Sequence, residues 1–170
     1  MQRRTNLQRL IAVTLILTAL QLTLAGCGFQ PRGQVSGVQG VPSPLHVSGI
    51  GQFSALGREL SRQLHAAGVA ESTDGSATVL HIMRRDSDAR VLSVDSRNKA
   101  VEFELEEAAR FELRTPDGQS LAEPQTVRVL RIQYRPSDAV LGSGREAELL
   151  REDMRRELVQ RMLQRIAAQR

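Results

Sequence analysis

The sequence predicts an α+β domain, a four-stranded mainly antiparallel sheet with two helices packed on one face. Two patterns indicate this fold class. Residues 100–115 alternate apolar and charged side chains, as a half-buried strand does, and residues 146–168 repeat apolar side chains at helical spacing. The order strand–helix–strand–strand–strand–helix across residues 44–170 is typical of a sheet that carries its helices on one side.

The first half of the domain contains a short strand, a helix and a long strand. Residues 44–50 predict the strand, and "FSALGRELSRQLHAAG" predicts a helix that ends at Gly68, with an apolar stripe of Phe53, Leu56, Leu60 and Leu64. Residues 76–83 have the pattern of a strand, a polar stretch follows, and the alternation of apolar and polar side chains resumes at 90–95. We therefore expect one long strand with a bulge, followed by a turn at "DSRNK", residues 95–99.

The strand at 100–115 has the clearest pattern in the chain. One face carries charged residues, which we expect to be solvated and paired with neighbouring arginines. Glu107 falls on the apolar face, and its position predicts either a bulge or a buried partner. The other apolar-face positions are Val101, Phe103, Leu105, Ala109, Phe111 and Leu113.

A second hairpin and a long helix complete the predicted domain. "TPDGQ" predicts a turn, because Pro116 presets φ and Gly118 tolerates a positive φ. A strand at 126–135, a loop and a helix at 146–168 follow. In the helix, Glu152–Arg156 and Glu157–Arg161 have the spacing of stabilising ion pairs. The apolar stripe of this helix is Leu150, Met154, Leu158, Met162 and Ile166.

The N-terminal segment has the composition of a secretory signal peptide. Three arginines precede an apolar stretch at 10–25, which ends in small residues directly before Cys27, the only cysteine. A transmembrane helix is the alternative, but the stretch is shorter than the roughly 20 apolar residues that a span requires. The predicted organisation is a lipoprotein signal peptide at 1–26, a lipidated Cys27 with a tether at 27–43, and one domain at 44–170.

The tetrapeptide Leu24–Ala25–Gly26–Cys27 resembles the lipobox of bacterial lipoproteins. The resemblance implies cleavage before Cys27 and acylation of its sulfur and of the new amine. It also implies stable membrane anchoring, because several acyl chains anchor a protein stably, whereas one acyl chain gives only marginal membrane binding. Gly28 stands where an aspartate would resemble an inner-membrane retention signal. The implied location is the periplasmic face of the outer membrane of a Gram-negative bacterium. The alternative is a free buried cysteine or an intermolecular disulfide.

Charge and composition disfavour nucleic-acid binding and catalysis. Removal of 1–26 takes away three arginines and leaves 20 basic against 19 acidic residues, without the basic excess of a nucleic-acid binder. His46, His65 and His81 lack metal-ligand spacing, and Cys27 is assigned to the anchor. We therefore expect no enzyme activity, no catalytic residues, no metal and no cofactor.

"GCGFQPRG", the element order and the ending "LVQRMLQRIAA" resemble the LptE family of LPS-assembly lipoproteins. Pro31 departs from the leucine of many members. The resemblance implies two helices on a four-stranded sheet. It also implies a role as plug and assembly partner of the outer-membrane β-barrel that inserts lipopolysaccharide (LPS). Two alternatives remain: a lipoprotein that scaffolds another envelope complex, and a carrier of lipid or another apolar ligand.

A candidate LPS-binding site follows from the charges of the predicted turns. Lipid A phosphates are anionic, so a site for them requires cations that converge at one end of the sheet. Arg97 and Lys99 lie in the "DSRNK" turn, and the family's basic position falls near this hairpin. Arg145 precedes the long helix and could reach the same end. The alternative is that all three are ordinary solvated loop charges.

Overall fold

A computed structural model describes residues 40–135 and 143–169. They form six elements: β1 (Leu45–Ser48), α1 (Ala55–Ala66), β2 (Thr78–Val94), β3 (Ala100–Arg114), β4 (Gln125–Tyr134) and α2 (Ser143–Ala167). The predicted α+β fold class and element order are confirmed. The predicted signal peptide, Cys27, most of the tether and the loop at 136–142 lie outside the described residues.

The sheet has the order β1-β2-β3-β4, with β1 parallel to β2 and the other pairs antiparallel. Helix α1 makes the crossover that a parallel pair needs. The predicted long second strand is confirmed, and its register shifts between Ile82 and Arg84, where the alternation breaks. Strands β2 and β3 therefore form a long hairpin that ends in the turn at 95–99.

Helix α1 begins later than the apolar spacing predicts. Ser54 is its N-cap, and the Ser54 hydroxyl accepts a hydrogen bond from the Gly57 amide at 3.0 Å. Phe53 therefore precedes the helix and is 79% exposed, so its assignment to the apolar stripe is wrong. Gly68 ends the helix as predicted, with a φ of 72° that a residue without Cβ adopts freely.

The core lies between the two helices and one face of the sheet. Leu56, Leu60 and Leu64 of α1 are fully buried and contact the same cluster as α2 and the strands. Val41, which lies in the predicted tether, is also part of this cluster. The α2 residues of the core are Met154, Leu158, Val159, Met162, Leu163 and Ile166.

Helix α2 starts three residues before the predicted 146, so Gly144 belongs to the helix and not to the predicted loop before it. The predicted Glu157–Arg161 ion pair is present. Arg156 instead pairs with Asp153, at 2.7 Å, rather than with Glu152. Both i,i+3 and i,i+4 positions are neighbours on a helix, so spacing alone does not select between them. In the described ranges neither helix has the length and apolar character to span a membrane.

Glu107 is a residue of β3, and it is fully buried on the side of the sheet that faces α2. Its Oε1 accepts a hydrogen bond from the Ser87 hydroxyl at 2.8 Å and lies 3.6 Å from Arg155 Nη1 and 3.8 Å from Arg151 Nη1. The register of β3 continues without a shift at this position on both sides. Of the two predicted outcomes, a partner is therefore correct and a bulge is not. A buried carboxylate needs such partners because desolvation is costly.

Candidate functional site

The turn between β2 and β3 holds two of the three predicted LPS-binding residues. The Asp95 carboxylate accepts hydrogen bonds from the backbone amides of Arg97, at 2.8 Å, and Lys99, at 2.9 Å. Asn98 adopts a φ of 60°, which asparagine tolerates better than most residues. Asp95 thereby fixes the backbone from which both cationic side chains project, as aspartate does in many turns.

The charges in this turn do not cancel. Arg97 Nη2 lies 3.4 Å from Asp95 Oδ2, and the side chains of Arg97 and Lys99 are exposed. Two cations thus face one carboxylate, which also bonds to backbone amides. The turn can offer charge-assisted hydrogen bonds to an anion in solvent, although exposed cations also occur at turns without a ligand.

Arg145 lies at the start of α2 and not in the turn. Arg151 and Glu107 fix one point of contact between α2 and β3, at 3.8 Å. From there the strand runs about 23 Å to Ala100, at ~3.3 Å per residue. The helix runs only about 9 Å back to Arg145, at ~1.5 Å per residue. The structure therefore brings Arg97 and Lys99 together and places Arg145 nearer the middle of the sheet.

The face of the sheet away from the helices carries ion pairs between strands. Arg90 pairs with Glu104 at 2.7 Å across β2 and β3, and Arg128 pairs with Glu106 at 2.8 Å across β3 and β4. These pairs are partly exposed, so each contributes little stability. With Asp88 and Leu130 they line a shallow depression of about 360 Å³. Around these pairs, the face presents alternating charges to solvent.

A row of residues on this face resembles catalytic machinery only in composition. Ser48 Oγ and His81 Nδ1 are 3.0 Å apart, and His81 is opposite Glu112 on β3. The Glu112 carboxylate is engaged by Arg114 and Ser120 rather than by the histidine. A nucleophilic triad needs the acid to orient the base, and this row does not show that contact. Within 40–135 and 143–169, no cluster of three or more His, Cys, Asp or Glu side chains could hold a metal.

Two clefts flank α1, and polar side chains contribute to both. One, of about 480 Å³, is bordered by β1 and the chain at 71–73, and the other, of about 720 Å³, includes Phe53, Arg58 and His65. A carrier of lipid requires an apolar enclosure. In the exposed turn beside the first cleft, hydrogen bonding by the Ser76 hydroxyl, the Ser72 side chain and the Ser76 backbone amide lowers the pKa of Asp74.

Some surface features could not be predicted because the sequence does not give the strand order. The apolar residues Leu130, Ile132 and Tyr134 of β4 are exposed on the outer face of an edge strand. Their alternation was visible in "TVRVLRIQYR", but alternation alone cannot say which face is buried or whether a strand is central. The buried contacts of Glu107 with α2 also join residues more than 40 positions apart.

Comparisons with known proteins give consistent results for the whole domain. A family model, LptE, described as lipopolysaccharide-assembly, matches residues 43–166. The LPS-assembly lipoprotein LptE of Photorhabdus laumondii is 28% identical over 156 residues, which cover 91% of this chain and 84% of that protein.

Solved structures share the fold at lower identity. A lipoprotein B from Nitrosomonas europaea has a TM-score of 0.67 at 24% identity, over 83% of this chain and 91% of that chain. A rare lipoprotein B from Shewanella oneidensis has a TM-score of 0.63 at 23% identity, over 73% and 93%. A minor lipoprotein from Acinetobacter baumannii has a TM-score of 0.63 at 22% identity, over 73% and 90%. These similarities support the fold alone.

Proposed function

Because this chain belongs to the LptE family, we propose that it acts with a large outer-membrane β-barrel protein to assemble LPS at the cell surface. The family comprises Gram-negative outer-membrane lipoproteins of LPS assembly. The observation that carries the proposal is the family match over 43–166, which includes all six elements of the domain except the last residue of α2.

The surface chemistry suits a protein that sits in a hydrated protein cavity. The sheet face away from the helices carries alternating glutamates and arginines, paired between strands, as in Arg90–Glu104 and Arg128–Glu106. The lumen of a large outer-membrane barrel is polar, so a plug in it must present a polar surface. Such a role is structural, and it requires neither catalytic residues nor a cofactor.

We further propose that Cys27 anchors the protein to the periplasmic face of the outer membrane. The lipobox-like Leu24–Ala25–Gly26–Cys27 supplies the acceptor cysteine, and Gly28 is not the aspartate of inner-membrane retention. The anchor and the 27–43 tether would hold the domain at the membrane that contains its partner. Local confinement of this kind raises the effective concentration of two proteins for each other.

Co-purification tests the proposed partnership. The full-length lipidated protein, isolated from outer membranes in mild detergent, is expected to retain one large β-barrel protein in stoichiometric amount. Mass spectrometry identifies the retained protein. Recovery of a different envelope complex would favour the scaffolding alternative, and recovery of extractable lipid without any protein partner would favour the carrier alternative.

Direct LPS binding by Arg97, Lys99 and Arg145 is a separate proposal. Replacing all three with glutamate should weaken LPS binding by the purified full-length protein about tenfold or more, because anionic side chains repel lipid A phosphates. The matched control replaces Arg58, Arg62 and Arg156, which are exposed elsewhere, with glutamate. Equal LPS binding by the two folded variants, checked by melting curves, would show that the assignment is wrong, while the barrel partnership could stand.

A further inference from the structure

Strand β4 forms an edge of the sheet, and its backbone groups alternate in direction. The Arg135 amide donates to the Val101 carbonyl of β3 at 2.7 Å, so odd-numbered residues face the sheet. In an antiparallel strand the N–H and C=O of one residue point to the same side. Even-numbered residues of β4 therefore direct their backbone groups away from the sheet, where another strand could pair with them.

Arginine side chains cover the first part of this edge. Arg165 donates to the Thr126 carbonyl at 2.8 Å, and Arg161 donates to the Arg128 carbonyl at 3.2 Å. The Leu130 carbonyl accepts from the neighbouring Arg131 at 2.9 Å. Charged side chains on an edge strand oppose the addition of another strand.

The last part of the edge has the opposite character. Leu130, Ile132 and Tyr134 are 44%, 67% and 62% exposed, and their side chains alternate onto the outer face of the sheet. An edge strand with exposed apolar residues is a template for pairing with another chain. We call the side chains of these three residues, with the outward backbone groups of Ile132 and Tyr134, the β4 docking edge.

Area and charge favour a different chain over a second copy as the occupant. Three side chains bury far less than the ~1,200 Å² of a small stable interface, so two copies paired only through this edge would not hold together. On the flank next to the docking edge, Arg128 and Arg161 are ion-paired with Glu106 and Glu157, whereas Arg165, which donates to the Thr126 carbonyl, is an exposed cation. An acidic residue on the incoming segment would complement the charge of Arg165.

We propose that the β4 docking edge receives an extended segment of the partner barrel protein as an added antiparallel strand. The segment would place apolar residues opposite Tyr134, Ile132 and Leu130 and an acidic residue near Arg165. A closed barrel wall has no free strand edge, so the segment would come from a loop or a terminal arm. This inference rests on the proposed function for the identity of the partner.

The test compares two proline substitutions on the same edge. Ile132→Pro removes an outward N–H from the docking edge, whereas Thr126→Pro makes the same change under Arg165. With full-length lipidated protein, Ile132→Pro should raise the dissociation constant for the detergent-purified barrel about tenfold. Thr126→Pro should leave that dissociation constant unchanged. Ile132→Lys, which keeps the backbone N–H, should also weaken binding because it removes the apolar contact.

Photo-crosslinking gives a measurement that does not depend on how the proline variants fold. A photoreactive residue at Ile132 should crosslink to the barrel protein in outer membranes, and one at the distant, exposed Phe53 should not. A crosslink from Ile132 to a second copy, or equal barrel retention by folded Ile132→Pro and Thr126→Pro, would overturn the inference while the partnership survives. Failure of the wild-type protein to retain any barrel would overturn the partnership and this inference together.

Discussion

Leu158→Asp is expected to lower the free energy of unfolding by about 3–5 kcal/mol. Leu158 is fully buried on the face of α2 that packs into the core, with Met154 and Met162 one turn to either side. The substitution removes the apolar contacts and places a carboxylate in a site where it would be desolvated. Since small domains are stable by only ~5–15 kcal/mol, the variant should unfold at much lower denaturant concentration.

Leu149→Asp is the matched control for this measurement. Leu149 lies on the same helix but is 54% exposed, so the same chemical change should alter stability by less than about 1 kcal/mol. Urea denaturation followed by circular dichroism compares the two variants with the wild-type protein. Near-neutral effects of both substitutions would contradict the packing of α2 on the sheet and would require that it docks only on a partner.

Cys27→Ala is expected to abolish membrane anchoring, because no sulfur remains to accept the lipid. The protein should retain the 1–26 segment or accumulate away from the outer membrane. Fractionation, and mass spectrometry of the N-terminal peptide, measure both effects. An acylated N-terminus on wild-type protein and its loss in the variant are the expected results.

Gly28→Asp separates anchoring from sorting. This variant keeps Cys27 and should be acylated, but aspartate after the cysteine resembles the inner-membrane retention signal, so the protein should shift to the inner membrane. Wild-type protein that lacks acyl groups at residue 27 would contradict the lipoprotein assignment, whatever the behaviour of either variant.

The sequence predicted elements whose patterns are local. The alternation at 100–115 and the stripe from Leu150 to Ile166 each reflect one face against the core, and the structure confirms both elements. The break in the alternation of β2 corresponded to a register shift, and Gly68 and Gly118 adopt the positive φ expected at a helix end and a turn. Local chemistry determines these features, so a single sequence is sufficient to predict them.

Features that depend on distant residues were not predictable in the same way. The position of Glu107 predicted either a bulge or a buried partner, and nothing in the pattern identified Arg151 and Arg155 of the distant helix as that partner. Phe53 fits helical spacing, yet Ser54 caps α1 after it and leaves it in solvent. Ion-pair choice on α2 was equally open, since Arg156 had acidic neighbours at both Glu152 and Asp153.

The candidate site was predictable in part. The turn residues Arg97 and Lys99 could be placed together because the turn signal is local, and the structure brings both onto one Asp95-organised backbone. The position of Arg145 depends on how α2 crosses the sheet, which the sequence does not specify. The apolar part of β4 could not be distinguished from a core strand until the strand order was known.

Depletion of the protein from the bacterium that encodes it, followed by quantification of LPS at the cell surface, tests the central claim most directly. Surface LPS should fall as the protein is depleted and return when the wild-type gene is supplied, whereas Cys27→Ala should restore it poorly. Unchanged surface LPS after complete depletion would contradict a role in LPS assembly.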